Sequence, residues 1–242
     1  MEVLGIILAR AGSNGLPGKC VRALLGRAVI EYTFDHALAA RRLTAVVLST
    51  DSQRAQALAR RAGIEVIDRP ADLATDTATV DAAARHAIEI WEQRHGRPVG
   101  AAVLLYGNIP VRSRDLIDRA IERLIQSGAD SVRSVAPITK QHPDWIHRLD
   151  GDRMTQFRPN SIYRRQDLEP LYYHDGAVAA VTRAALFEAL RTPEDRQAFL
   201  GRDRRAIVQR CEDAVDIDGP VDLFVAEAVL RAQELRAHER SG

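Results

Sequence analysis

One short loop near the amino terminus, ARAGSNGLPGK (residues 9–19), joins three glycines to an arginine and a lysine. Its backbone N–H groups, the Ser13 hydroxyl and the charges of Arg10 and Lys19 are the kinds of donor that hold phosphate oxygens. Gly15 belongs to a Gly-Leu-Pro-Gly turn that would bend the chain whatever the function. The loop therefore predicts a polyphosphate site, with a ligand-free glycine turn as the simpler alternative.

Two familiar glycine loops do not fit this segment. A P-loop places four residues between its first glycine and Gly-Lys and follows the lysine with Ser or Thr. Here five residues separate Gly12 from Gly18, and Cys20 follows Lys19. The dinucleotide-binding spacing also fails, because the three glycines are spaced by three throughout. The loop thus supports neither a P-loop ATPase nor a dehydrogenase.

Lysine is rare in this chain, which draws attention to the two that remain. Of 34 basic residues, only Lys19 and Lys140 are lysine, and the rest are arginine. A lysine that persists against such a bias indicates a position that needs a compact ammonium group, although chance survival explains either one taken alone. Lys19, at the end of the glycine loop, is the stronger of the two candidates.

Two carboxylates near the carboxyl terminus have the spacing of a metal site. Asp216 and Asp218 occupy alternate positions in the segment DIDG, so their side chains project to the same side of an extended chain. Mg²⁺ takes few protein ligands and fills its remaining positions with phosphate oxygens and water. The pair alone is a weak signal, since a loop acid and a helix cap give the same pattern, but the phosphate loop favours metal binding.

The elements that must position these residues alternate regularly along the chain. Short segments rich in Val and Ile predict strands at 3–9, 44–50, 64–69, 101–106, 131–138, 177–182 and 206–210. Amphipathic segments predict helices at 29–42, 52–63, 79–95, 114–128 and 221–239. This alternation predicts one α/β domain over residues 1–242 with a mainly parallel sheet covered by helices. The polar segment 139–175 breaks the pattern and is predicted to be an inserted arm.

In such a sheet the ligand lies beyond the carboxyl ends of the strands. That rule selects Arg69 as a nucleotide contact, and it brings forward the segment from Tyr106 to Arg112. Asp51 suits either a ligand contact or the end of its strand. Asp76, Thr77 and Thr79 suit helix capping as well as contact with a base. His86 and Trp91, inside the third helix, are predicted to be packing or surface residues.

Global composition excludes several classes of protein. The chain has 242 residues, 46% of them hydrophobic, and a net charge of +1, so no basic field indicates nucleic-acid binding. The two cysteines, Cys20 and Cys211, provide neither a disulfide framework nor a metal quartet. No apolar run has the length of a membrane span, and the start lacks the features of a signal peptide. We therefore expect a cytoplasmic protein without membrane or nucleic-acid partners.

Six segments in order along the chain resemble one known family. They are ARAGSNGLPGK, LLGRAVIEYTFDHA, VVLSTDS, DRPADLATDTATVDAAARHAI, RRQDLEPLYYHDGAVAAV and DIDGPVDLFVAEAVL. Together they resemble the CMP-sialic acid synthetases, the cytidylyltransferases that activate sugar acids. A single motif could arise by chance, whereas six in the same order cover nearly the whole chain.

The resemblance implies a Rossmann-like fold of the nucleotide-diphospho-sugar transferase type and a reaction. A hydroxyl of a sialic-type 2-keto sugar acid would attack CTP, giving a CMP-sugar and pyrophosphate, with Mg²⁺ or Mn²⁺ as cofactor. Arg10, Lys19, Asp216 and Asp218 would be catalytic, and Arg10, Ser13, Gly15, Lys19, Arg69 and Thr79 would bind the nucleotide. The arm would form a homodimer and would contact the acceptor through Lys140, Arg165 and Gln166. Tyr106 and Asn108, which lie outside the arm, would contact the acceptor as well.

Three positions depart from the family pattern, and they leave alternatives open. Tyr106 stands where the family has glutamine, Cys20 follows the loop lysine in place of asparagine, and Asp175 replaces the asparagine of the NGAI segment. Tyr106 and Asp175 allow a Kdo-, legionaminate- or pseudaminate-like acid, and Cys20 allows GTP as the donor. A catalytically silent nucleotide-binding protein of the same fold is the rival from another class, and retention of Lys19 and both aspartates argues against it.

Overall fold

The computed structural model describes residues 1–12, 15–192 and 194–239. Its strands are Glu2–Leu8 (β1), Ala23–Leu24 (β2), Arg27–Ala28 (β3), Ala45–Thr50 (β4), Glu65–Asp68 (β5), Val99–Tyr106 (β6), Ser131–Pro137 (β7), His147–Asp150 (β8), Arg153–Gln156 (β9), Tyr172–Thr182 (β10) and Arg204–Val208 (β11). Its α-helices are Val29–Ala39 (α1), Gln53–Arg61 (α2), Val80–His95 (α3), Leu116–Ser127 (α4), Arg183–Glu188 (α5) and Pro220–Glu239 (α6).

The central sheet has the order β11-β7-β10-β6-β1-β4-β5 and is mainly parallel. β1 pairs in parallel with β4 and β6, β4 with β5, and β7 with β11. β10 alone runs the other way and lies antiparallel between β6 and β7. The mainly parallel sheet flanked by helices is thus confirmed, and all seven predicted strands occur near their expected positions. The short helix α5 was missed.

Helices cover both faces of the sheet, as its near-continuous apolar strands require. On one face α1, α2 and α4 pack through residues such as Phe34, Leu58 and Ile121. On the other face α3 and α5 pack through Ile88, Trp91 and Leu186. Each fully buried aliphatic side chain of this kind contributes about 1.5–3 kcal/mol relative to an exposed one. Trp91 is 1% exposed, which confirms its prediction as a packing residue.

The local sequence explains where several helices begin and end. Ser52, Thr79 and Thr182 each accept a hydrogen bond from a backbone N–H in the first turn of α2, α3 and α5. Gly96 and Gly128 follow α3 and α4 with φ of 65° and 64°, the left-handed conformation that favours glycine at such ends. Thr79 therefore has the capping role that the sequence allowed.

The polar segment 139–175 does not form a further strand–helix unit. It carries the hairpin β8–β9, which is exposed along its whole length. Its last residues differ from the predicted arm, because β10 begins at Tyr172 and pairs there with Pro137 of β7. The arm thus leaves and rejoins the sheet at neighbouring strands. None of the helices in the described ranges has the length and apolarity needed to cross a membrane.

Candidate active site

A cleft of about 470 Å³ opens beyond the carboxyl ends of β1 and β6. This is where an open parallel sheet places its ligand. Eight of the predicted site residues line it, namely Arg10, Gly15, Lys19, Arg69, Thr79, Tyr106, Asn108 and Asp218. Ser13, the remaining predicted loop contact, lies outside the described residues.

The glycine loop is fixed at both of its ends. Directly after β1, the Ala11 N–H donates to Asp51 Oδ1 at 2.7 Å, so Asp51 holds the start of the loop from the neighbouring strand. At the other end Gly18 has φ of 65°, and Lys19 begins a single 3₁₀ turn. Gly15 lies so close to Asp218 that an added Cβ would be 2.5 Å from the Asp218 carbonyl oxygen. Gly15 is therefore needed for close approach of the loop to the DIDG segment.

Both loop cations already contact carboxylates across the cleft. Lys19 Nζ lies 2.6 Å from Asp218 Oδ1, although the two residues are 199 positions apart. Arg10 forms an ion pair with Asp76, a partner that the sequence had suggested only for capping or a base contact. A triphosphate entering the cleft would therefore replace carboxylate oxygens with phosphate oxygens on the same two cations.

Asp216 lies beside this pair and carries an unusual charge environment. Its Oδ1 accepts a hydrogen bond from Asn108 Nδ2, which also donates to the Ile217 carbonyl at 3.1 Å. Burial of the carboxylate, followed by repulsion from Asp218, raises the pKa of Asp216 from 3.8 to about 6, against the opposing effect of Lys19. Two close carboxylates that resist ionisation together are electrostatically suited to a divalent cation.

The donor set fits Mg²⁺ better than a metal held wholly by protein. In the parts of the chain that the structure describes, no three His, Cys, Asp or Glu side chains cluster closely enough to hold a metal. A site with Asp216 and Asp218 as its protein ligands leaves the remaining positions to phosphate oxygens and water, as Mg²⁺ prefers. The pair therefore suits a metal that arrives with a nucleotide.

Arg69 is held rigidly at the edge of the cleft. Its Nη2 donates to the Ser49 carbonyl at 2.7 Å and its Nε to Ser49 Oγ at 3.1 Å. Burial lowers the pKa of the guanidinium, and the charge of Asp51 partly offsets that effect. Arg69 thus presents a fixed, partly desolvated positive charge to the cleft.

A buried arginine fixes the segment that carries Tyr106 and Asn108. Arg112 is 3% exposed and donates to the carbonyls of Tyr106, Ile109 and Ala177. It also donates to Thr33 Oγ1 at 2.9 Å. Burial lowers the pKa of Arg112 to about 9, which still leaves the guanidinium charged at neutral pH. Sequence reasoning missed this role, for which an arginine closing the apolar run Ile-Pro-Val was the available signal.

Two of the departures from the family pattern lie within the protein interior. Cys20 is 6% exposed at the cleft wall, and burial raises the pKa of its thiol to about 11, so it stays protonated. The Asp175 carboxylate is buried and accepts hydrogen bonds from Ser134 Oγ, the Ala177 N–H and Gln209 Nε2. Asp175 therefore fixes the backbone between β7 and β10 rather than facing a ligand.

The predicted acceptor contacts of the arm stand apart from the cleft. Lys140, Arg165 and Gln166 are all exposed, and none of them lines the cleft formed by this chain. Their assignment to substrate binding stays a prediction that depends on a second copy of the chain. Asp216 likewise does not line the cleft itself but adjoins it through Asn108.

The fold and the site together define a nucleotidyltransferase, with a glycine loop that carries Arg10 and Lys19 facing a carboxylate pair at the carboxyl edge of a mainly parallel sheet. A family model described as cytidylyltransferase matches residues 4–202. The chain belongs to this cytidylyltransferase family, and the activity that defines the family is transfer of a cytidylyl group.

Individual relatives act on sugar acids, according to their names. The chain is 28% identical over 241 residues to the CMP-N,N'-diacetyllegionaminic acid synthase of Legionella pneumophila, covering 97% of this chain and 98% of that protein. It is 32% identical over 182 residues to the N-acylneuraminate cytidylyltransferase of Streptococcus agalactiae, covering 74% of this chain and 43% of that longer protein. Activity on sugar acids is therefore the common theme of these relatives.

A solved structure supports the fold independently of sequence. A CMP:2-keto-3-deoxy-manno-octonic acid synthetase complexed with CTP superposes with a TM-score of 0.72 at 19% identity. The match covers 97% of this chain and 100% of that one. At this level of identity the likeness establishes the shared fold.

Proposed function

We propose that the protein transfers CMP from CTP to a sialic-type 2-keto sugar acid and releases pyrophosphate, with Mg²⁺ or Mn²⁺ as cofactor. The observation that carries the proposal is the contact between Lys19 and Asp218 beside Asp216, which joins the phosphate loop to the carboxylate pair. Relatives named for legionaminic and neuraminic acids support the substrate class.

The residues of the cleft account for the steps of this transfer. Arg10 and Lys19 hold the triphosphate and neutralise charge on the departing pyrophosphate. The oxygen of the acid hydroxyl forms a bond to the α-phosphorus as the bond from that phosphorus to the α–β bridging oxygen breaks. The hydroxyl proton passes to water, and the bridging oxygen leaves with the electron pair as part of pyrophosphate. Asp216 and Asp218 would hold the metal, which supplies charge neutralisation between phosphate oxygens. Positioning and electrostatics, rather than a covalent nucleophile, provide the catalysis.

We further propose that the arm completes the acceptor pocket of a second copy in a homodimer. The exposed cations Lys140 and Arg165 and the amide of Gln166 suit the carboxylate and hydroxyls of a sugar acid, yet they do not reach the cleft of their own chain. Light scattering of the purified protein should therefore report a dimer, and a monomer that is fully active would contradict this part of the proposal.

A pyrophosphate-release screen tests the reaction directly. Purified protein with Mg²⁺ would be incubated with CTP or GTP against N-acetylneuraminate, legionaminate, pseudaminate and Kdo. We expect release with CTP and at least one acid, loss of release in Lys19→Ala, and no change in Arg54→Ala, an exposed arginine on α2. CTP binding without release for any acid would favour the silent nucleotide-binding protein, and release with GTP alone would overturn the choice of CTP.

A further inference from the structure

A half-buried arginine, Arg133, lies on the same face of the sheet as the cleft residue Tyr106. Ala179 of β10 is in register with Leu104 of β6 on one side and with Arg133 of β7 on the other. Residues directly opposite each other in a sheet share a face, as do residues two apart on one strand. Arg133, Ala179, Leu104 and Tyr106 therefore project from one face.

The helices leave this part of the face incompletely covered. α5 and its neighbour Leu200 cover this face as far as Val181, which is fully buried. Ala179 lies two residues before Val181 on β10, and it stays half-buried although strands flank it on both sides. The small Ala179 side chain thus lies between the strands that carry Tyr106 and Arg133.

Arg133 brings a partly buried positive charge to this face of the sheet. The residue is half-buried, and across the described ranges no side chain or carbonyl forms a hydrogen bond or ion pair with its guanidinium. The charge of nearby Asp175 acts favourably on Arg133 without a direct contact, and both Asp175 oxygens accept hydrogen bonds from Ser134, the Ala177 N–H and Gln209. A half-buried cation without a partner is expensive to maintain unless it binds an anion.

The charge of Arg133 acts on Tyr106, which places the two groups within electrostatic range. Burial raises the pKa of the Tyr106 phenol, and Arg133 opposes that rise. The phenol O–H is a donor and the guanidinium is a planar set of donors, so together they match the two oxygens of a carboxylate.

We infer that Arg133 and Tyr106 hold the carboxylate of the acceptor acid. The inference rests on the proposed function and adds a contact from within the chain to those that the arm of a second copy would supply. In the ring form of a 2-keto sugar acid, the carboxylate and the attacking hydroxyl are attached to the same carbon. A carboxylate held between Arg133 and Tyr106 therefore leaves that hydroxyl on the Asn108 and Asp216 side, where the nucleotide phosphates would lie.

Calorimetry on variants of both the protein and the ligand tests the assignment. N-acetylneuraminate, legionaminate and Kdo would be titrated into protein saturated with CTP, with EDTA present to prevent turnover. A second titration would use the same sugar with its carboxylate reduced to an alcohol. The protein variants are Arg133→Ala and Arg133→Lys, with Arg123→Ala, an exposed arginine on α4 on the opposite face, as the control.

We expect Arg133→Ala to weaken binding of the acid roughly ten- to a hundredfold, as loss of charge-assisted hydrogen bonds predicts. Arg133→Lys should recover part of the loss, and Arg123→Ala and the affinity for CTP should not change. With the reduced sugar, wild type and Arg133→Ala should bind equally weakly. Equal loss for acid and alcohol, unchanged binding of the acid in Arg133→Ala, or absence of acid binding by wild type would overturn the assignment. Pyrophosphate release by the wild type judges the proposed function separately.

Discussion

Replacing Asp216 with asparagine should stabilise the free protein while removing its activity. The fold opposes ionisation of Asp216 through partial burial of its carboxylate and through the nearby charge of Asp218. An asparagine side chain keeps an oxygen for the hydrogen bond from Asn108 and carries no charge. The substitution therefore removes repulsion without leaving Asn108 unpaired.

The size of the gain follows from the pKa shift. A pKa raised from 3.8 to about 6 corresponds to a cost of about 3 kcal/mol for the ionised group. Because Asp216 is exposed as a whole residue, although Asn108 encloses its Oδ1, screening reduces this value, and we expect a gain of about 1 kcal/mol at pH 7.5. For a chain of this size the melting temperature should rise by about 2–4 °C.

The sign of the pH dependence is fixed by the direction of the shift. With a higher pKa in the folded state, the folded protein binds more protons between pH 3.8 and about 6, so the wild type loses stability as pH rises through that window. The advantage of Asp216→Asn should be complete above pH 6 and fall to about a third at pH 4.5.

Thermal and urea unfolding at pH 4.5 and 7.5 measure this effect, with Asp152→Asn at the exposed hairpin turn as the control. Mg²⁺ with CTP should stabilise the wild type more than Asp216→Asn, because the substitution removes a metal ligand. A variant that is less stable than wild type at pH 7.5, or a gain independent of pH, would refute the electrostatic account of Asp216.

Three further predictions concern other residues of the site and its support. Lys19→Ala should lower pyrophosphate release at least a hundredfold, and Lys19→Arg should fail similarly if a compact ammonium is required; an active Lys19→Arg variant would remove that requirement. Arg112→Met should lower the free energy of unfolding by about 2–4 kcal/mol, because it leaves buried carbonyls without donors. The control Arg114→Met, at an exposed position, should leave that free energy unchanged. Equal urea midpoints for the two variants would contradict this prediction. Burial lowers the pKa of His36 to about 4, so the unfolded state binds more protons than the folded state between pH 4 and 6.5. The free energy of unfolding should therefore fall as pH drops through that range. An identical pH dependence in His36→Gln would show that His36 does not cause this fall.

Local residue patterns predicted most of the fold but not the arrangement of its strands. Each predicted strand corresponds to a short run rich in Val or Ile, and such runs are identifiable without tertiary information. The antiparallel placement of β10 between β6 and β7 depends on where the arm returns to the sheet, which no local pattern encodes. The start of β10 was placed five residues too late, since Tyr172 to Gly176 is polar and glycine-containing and includes an irregular stretch of the ladder.

The site shows the same division between local and tertiary information. The loop ending in Lys19 and the pair Asp216 and Asp218 were selected by residue type and spacing, and the structure brings Lys19 and Asp218 into contact. Asp175 was selected as a position that could alter substrate choice, but it is buried and fully hydrogen-bonded. No sequence motif indicated a role for Arg112 or Arg133, because the role of each depends on burial and on neighbours distant in sequence.

The arm has adjacent ends, and this has a consequence for how such proteins diversify. Ile138 N–H donates to the Leu171 carbonyl at 2.8 Å, and the next ladder pair joins Pro137 to Tyr172. A loop closed at its base can change in length or sequence at little cost to the sheet below it. Recombination or drift in this segment can therefore proceed while the phosphate loop and the carboxylate pair stay unchanged. The arm is in this sense a separable insertion in the framework of strands.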